Sequence, residues 1–359
     1  MSVNKLKTAI LGLNEDGKLL LEAALATDLF QIEAVADKDI HLVEKTADKL
    51  KCEAFDDFRQ LITSTDARIE SDNRVLLVAA ETHTCDEYIK MAMKKKFHCL
   101  KLPPIARYFD EASEFVRLSE EENVIFSIAN TGRYSKGYQA LRDYIKKNKL
   151  EQIFLMTVFS TFSEPPADTW HTDPKLSGGG VLLHNCYKII DQIVLNFGLP
   201  QQMYSLNTNQ ARDRQQRMYL TEDTAVVTLK FSDTLVGNII TLRRSGIGPQ
   251  QEYLRFYDND KILTVNENKF SIKDGSGEVT KLEEFTDTKL DRMTLLLKDF
   301  AMSILSPKEN KPVSTGKENL KNMAVIESAY LSARTGFPET PDKIINMPSA
   351  VQGIQLGFD

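Results

Sequence analysis

The hydrophobic pattern of the chain follows two different rhythms. From Lys5 to Ile128, short apolar runs (TAILGL, FQIEAVAD, VLLVAA, FHCLKL, NVIFSIA) are separated by stretches with helical spacing (KLLLEAALAT, HLVEKTADKL, DEYIKMAMKK, DEASEFVRLSEEE). Strand–helix alternation of this kind predicts βαβ units and a parallel sheet. After Leu150 longer alternating runs dominate: IFLMTVFSTF, TAVVTLKF, LVGNIITLRR, EYLRFYD and KILTVNE, divided by turn clusters such as DND and KDGSG. These predict an open, mostly antiparallel sheet. Helices are expected at GYQALRDYIKKN, YKIIDQIVLNF, MTLLLKDFAMSIL and NLKNMAVIESAYLSA. The fold class is therefore α/β, with a parallel-sheet domain over residues 1–128 and an α/β domain with an open sheet over 129–359. The chain is expected to cross between them at Asn130 to Lys136.

Composition narrows the class without naming a chemistry. At 359 residues the chain is too long for one ordinary core. Hydrophobic residues at 42% and charged residues at 27% fit a soluble globular protein. No run reaches the roughly 18 apolar residues of a membrane span, and the start MSVNKLKTAILGL reads as a first strand, not a secretory signal. The net charge of −6 argues against a nucleic-acid footprint. Lys94, Lys95 and Lys96 read as a solvated helix end. Cys52, Cys85, Cys99 and Cys186 are scattered and read as reduced thiols of a cytoplasmic protein. The five histidines supply no zinc cluster, so no metal is expected.

Candidate chemistry begins at the first strand's end. Gly12-Leu13-Asn14-Glu15-Asp16-Gly17 runs into a helix, as in a Rossmann-type dinucleotide loop, but Asn14 stands where the middle glycine of GxGxxG would be. Asn tolerates positive φ better than most residues, yet its side chain crowds the phosphate position. Glu15 and Asp16 add negative charge there. Asp37 ends the second strand, where an acid accepts the adenosine ribose hydroxyls, unless it merely caps the next helix. The cofactor expected is NAD or NADP, with NAD favoured by Asp37 and with binding weak or lost because of Asn14.

Several ordered blocks then resemble one family. The AVADKD strand end, the segment VLLVAAETHTCDEYIKMAMKKKFHCLKLPPIA, the block WHTDPKLSGGGVLLHNCYKIID and the closing ESAYLSARTG together resemble the Gfo/Idh/MocA oxidoreductases, the glucose-fructose oxidoreductase and inositol dehydrogenase group. The resemblance implies an NAD(P)-binding first domain with Gly12, Asn14, Gly17, Asp37, Ala80 and Pro104 near the cofactor. It also implies a second domain that binds a sugar, cyclitol or sugar derivative and commonly forms a homodimer or homotetramer. Apolar strand faces such as AVVTLKF and VGNIITL suit such an interface.

The sequence departs from the family where the chemistry resides. Such proteins use the lysine of a Glu-Lys-Pro turn and a histidine after a triple glycine to polarise and deprotonate the carbinol. Here Leu102-Pro103-Pro104 replaces the turn, His184 stands at the usual aspartate and Lys188 at the usual histidine. Glu81 and Cys85 replace a proline and a histidine. Lys188, with a pKa lowered by burial, is the candidate base, with His184 one helical turn before it and Lys101 as a further candidate. Arg133, Trp170, His171 and Asp191 are candidate substrate contacts. Two readings stay open: an oxidoreductase with a replaced base, and a catalytically silent relative that senses or binds a ligand.

Overall fold

The run LKTAIL becomes β1 (Leu6–Leu11), buried at five of its six positions, as a strand covered on both faces must be. In a computed structural model the described residues are 5–68, 73–148, 153–163, 170–209, 221–243 and 250–346. They divide into two units. Unit 1 comprises Met1–Ala106, Glu111–Tyr134 and Asp287–Asn319; unit 2 comprises Arg107–Asp110, Ser135–Thr286 and Leu320–Asp359.

In unit 1, β1 is followed by α1 (Glu15–Thr27), β2 (Phe30–Ala36), α2 (Ile40–Leu50), β3 (Glu53–Phe55), α3 (Phe58–Arg68), β4 (Arg74–Val78), α4 (Thr82–Lys94), β5 (His98–Lys101), α5 (Phe109–Glu121) and β6 (Phe126–Ile128). The sheet order is β3-β2-β1-β4-β5-β6 and every pairing is parallel. The order reverses between β1 and β4, and the crevice beyond the carboxyl ends of those strands is where such sheets bind ligands. The strands named from the sequence recur within a residue or three, and β3 and α3, with their short or polar patterns, are additions.

Unit 2 contains α6 (Lys136–Asn148), β7 (Ile153–Phe162), α7 (Pro174–Ser177), a π-helical turn (Val181–Asn185), α8 (Tyr187–Phe197) and seven further strands. These are β8 (Gln202–Thr208), β9 (Thr224–Lys230), β10 (Val236–Arg243), β11 (Glu252–Asp258), β12 (Lys261–Asn266), β13 (Lys269–Asp274) and β14 (Val279–Glu284). The sheet order is β14-β13-β12-β11-β7-β10-β9-β8, antiparallel except between β7 and β10. One face carries Met156, Val158, Val227, Leu254 and Phe256, all buried. The rings of Phe197 on α8 and Tyr144 on α6 pack on Phe256 and Phe270 of this face, at 5.2 and 6.0 Å. Burial of such a ring contributes about 2 kcal/mol. The opposite face leaves Leu206, Val226, Val236 and Ile240 exposed.

The chain then adds α9 (Lys289–Leu305), α10 (Gly316–Thr335) and α11 (Pro341–Asn346). A capping box between Thr288 and Asp291 starts α9. Met293, Leu296, Leu297 and Phe300 of α9 complete the unit 1 core with Leu20, Leu21 and Ala24 of α1. That closure joins residues 269 to 280 positions apart, so local periodicity cannot show it.

Candidate functional site

The dinucleotide cradle of unit 1 is made chiefly of main chain. Gly12 has φ +90°, and a Cβ there would fall 2.5 Å from the Ala80 nitrogen; one on Gly17 would fall 2.2 Å from the Gly12 oxygen. Loop, first helix turn and β4 end are therefore packed backbone to backbone, as close approach of a pyrophosphate requires. Asp37 is half-buried at the end of β2; its carboxylate accepts from Leu13 N–H (2.6 Å) and Asp39 N–H (3.1 Å). The cap of α2 is Asp39, not Asp37. The close glycine packing and an acid at the end of β2 fit an adenine dinucleotide, and the N-terminus of α1 opens beside the same loop.

Asn14 departs from the conformation expected of it. Its φ is −58°, so no left-handed backbone is involved. Its side chain caps α1 instead, accepting from Gly17 N–H (2.8 Å) and donating to the Ala79 carbonyl (3.0 Å). One N–H of the anion-binding turn is thus already satisfied internally, and the exposed Glu15 and Asp16 carry charge at the same helix end.

After β5 the replaced Glu-Lys-Pro turn is held by a buried cation. Lys101 is 2% exposed, and its ammonium donates to the carbonyls of Pro104 (2.6 Å) and Leu102 (3.3 Å) and contacts Thr82 Oγ1 at 3.5 Å. Lys101 therefore serves the turn itself. Arg133, also buried, pairs with Glu318 at 3.1 Å within unit 1. Both side chains have structural partners there.

In unit 2 the triple glycine is explained by close neighbours. A Cβ on Gly179 would lie 2.2 Å from the Tyr330 hydroxyl, and one on Gly180 would lie 1.9 Å from the Glu222 carbonyl. The Glu222 carboxylate accepts from Gly180 N–H (2.7 Å), Leu182 N–H (3.0 Å) and the Tyr330 hydroxyl (2.9 Å). Burial pushes its carboxyl above the usual range, against those donors, and burial with the adjacent carboxylate holds the Tyr330 phenol well above its own. The following turn presents His184, whose Nε2 lies 2.9 Å from the Ser177 carbonyl. A carbonyl only accepts, so Nε2 carries the proton. The Trp170 and His171 rings stack at 3.8 Å, and His184 meets both edge-on at 5.3 and 5.7 Å. These three predicted residues are brought together.

Lys188 lies elsewhere. The π-helical turn ends at Cys186, so His184 and Lys188 do not continue one α-helical stripe. Lys188 Nζ pairs with Glu252 Oε2 (2.8 Å) and Glu267 Oε1 (3.2 Å). Burial alone would lower its pKa, but the two carboxylates outweigh burial and raise it. The expected low-pKa base is therefore corrected: Lys188 is a held ammonium. It lines a cleft of about 290 Å³ with Glu252, Glu267, Thr161, Phe162 and Gln250. Asp191, 1% exposed, accepts from Asn322 Nδ2 at 2.9 Å inside unit 2. Glu222, Glu252 and Glu267 were not singled out from the sequence. Glu252 was detectable as an acid on the inward register of EYLRFYD, whereas Glu267 in the NEN turn gives no signal.

A six-stranded Rossmann-type unit with a glycine cradle, joined in one chain to an open-sheet unit with a polar cleft, defines a nucleotide-dependent oxidoreductase architecture. Residues 6–130 match the NAD-binding Rossmann fold of the GFO_IDH_MocA oxidoreductase family and residues 142–339 match that family's C-terminal alpha/beta domain, and the chain belongs to this family. It is 20% identical over 303 residues to myo-inositol 2-dehydrogenase of Thermotoga maritima, covering 82% of this chain and 88% of that protein. Its fold is similar to levoglucosan dehydrogenase in complex with NADH and levoglucosan (TM-score 0.82, 15% identity, 94% and 99% of the two chains). It is also similar to an Agrobacterium radiobacter oxidoreductase in complex with NAD+, L-tartaric acid and magnesium (TM-score 0.79, 13% identity, 95% and 100%).

Proposed function

We propose that this protein is an NAD(H)-dependent oxidoreductase that acts on a hydroxyl of a sugar, cyclitol or related small molecule. The observation that carries the reading is Lys188, held between Glu252 and Glu267 on the wall of a cleft, at the place in the glycine block where the family has its histidine. The relatives whose names include myo-inositol and levoglucosan support a polyhydroxylated substrate. When bound, the cofactor supplies a hydride acceptor. The protein's part is proton handling: the Lys188 ammonium donates to the reacting oxygen, and a carboxylate beside it takes the hydroxyl proton. Asp37 on the ribose side disfavours a 2′-phosphate, so NAD is preferred to NADP.

The silent-binder reading is favoured by one observation: the side chain at the histidine's place has a raised, not lowered, pKa. A panel of uncharged polyols incubated with NAD, followed by absorbance of the reduced nicotinamide, separates the two. Turnover that Lys188→Met abolishes supports the oxidoreductase. Binding without turnover across the panel supports the silent relative.

The exposed Leu206, Val226, Val236 and Ile240 lie on one sheet face, which suits a homodimer or homotetramer. A solution mass near that of a single 40.6 kDa chain at micromolar concentration would overturn this. No helix among the described residues is long and apolar enough to cross a membrane. A cytoplasmic location and partners limited to small molecules, not nucleic acid or membrane, complete the proposal.

A further inference from the structure

The charged groups of the unit 2 cleft discriminate among ligands that share hydroxyl chemistry. Lys188, Glu252 and Glu267 carry one positive and two negative charges, a net of −1, and their side chains are 33%, 16% and 21% exposed. The cation is already committed to both acids. Glu252 Oε1 also accepts from the Tyr138 hydroxyl at 2.7 Å, which ties that carboxylate to α6. Glu267 sits in the turn after β12, where the start of α6 is packed on the main chain. Ser135 Oγ donates to the Glu267 carbonyl at 2.6 Å, and a Cβ on Gly137 would fall 2.1 Å from the Asn266 carbonyl. The backbone that carries Glu267 is therefore fixed, and each carboxylate is tied to the Lys188 ammonium.

Two carboxylates and one ammonium offer acceptors for hydroxyl protons and a donor for a hydroxyl oxygen, because an ammonium has three N–H bonds and two are used. Resting on the reading that this cleft is the ligand site, we propose that it selects uncharged polyols and amino sugars and rejects sugar acids. A ligand carboxylate would meet two like charges and a cation whose field they already cancel. A ligand ammonium would meet two acceptors.

Direct binding to the full-length protein tests this without requiring turnover. Calorimetry or saturation-transfer NMR with myo-inositol, D-glucosamine and D-glucuronate should rank glucuronate weakest, by about tenfold or more. Raising salt should narrow the gap, since screening weakens both repulsion of the acid and attraction of the amine. Glu267→Gln removes one like charge and should reduce the discrimination at least threefold. Glu252→Gln serves the same purpose if the first variant does not fold, and the salt series needs no variant. Glucuronate binding as tightly as myo-inositol, or a ratio insensitive to salt and to either substitution, overturns the charge selection while leaving the cleft a ligand site. Binding of none of the three probes by a protein that still binds NADH overturns the selection together with the reading of the cleft.

Discussion

The two units keep the marks of their family by different means. In unit 1 the cradle consists of backbone approaches around Gly12, Gly17 and Ala80, and the side-chain change at Asn14 is absorbed as a helix cap. In unit 2 the polar contacts after the glycine block are made by side chains: Lys188 pairs with Glu252 and Glu267, and His184 meets the Ser177 carbonyl. A main-chain site tolerates substitution because its donors are present in every residue. A side-chain site must be rebuilt whenever one member changes.

The sharpest way to break the comparison is chemical. Lys188→Met should lower turnover by about 10²-fold or more, since the hydroxyl oxygen loses its donor and the acids lose their counter-ion. Steady-state kinetics with an uncharged polyol would show it, and unchanged kcat would remove Lys188 from the mechanism. Next in size is steric. Gly180→Ala places a Cβ 1.9 Å from the Glu222 carbonyl, so the block must shift, at a cost of about 3 kcal/mol. Urea unfolding would reveal the loss; a neutral result would mean that the Gly180–Glu222 packing is dispensable.

A smaller effect concerns pH. Burial raises the Glu222 carboxyl above its unfolded value, so the folded state binds the proton more readily than the unfolded chain. That stabilising contribution is present below the unfolded carboxylate pKa of about 4.3 and is lost as pH rises through the higher folded value. Wild type should therefore gain stability relative to Glu222→Gln as pH falls from 7 toward about 5, read by denaturant midpoints. A difference independent of pH would contradict the assignment. The smallest effect is at the cradle: Asn14→Gly frees the Gly17 N–H for phosphate and should improve NADH affinity a few-fold, with only a few tenths of a kcal/mol lost at the cap. No gain would show that the cap does not compete with the cofactor.

The same contrast governs what the sequence made legible. YKIIDQIVLNF, IFLMTVFSTF and EYLRFYD coincide with α8, β7 and β11 because each has one buried face and a clear period. β14 (VTKLEE) is exposed at five of six positions, and β8 (QMYSLNT) buries only two, so neither announces itself. Gly12, Gly17 and Asp37 were readable because their spacing is local to one βαβ unit. The partners of Lys188 lie 64 and 79 positions away, and without them its burial suggested a lowered pKa when the ion pairs impose the reverse. Asn322, 131 positions from Asp191, likewise turns a candidate ligand contact into an internal hydrogen bond.

The claim that a main-chain cradle retains the cofactor despite Asn14 is tested most directly by a fluorescence titration. Protein stripped of bound nucleotide would be titrated with NADH and, separately, with NADPH. Saturable NADH binding, tighter than NADPH by about tenfold (some 1.4 kcal/mol), is the result predicted from Gly12, Gly17 and Asp37. Binding of neither nucleotide, or NADPH binding more tightly than NADH, would contradict it.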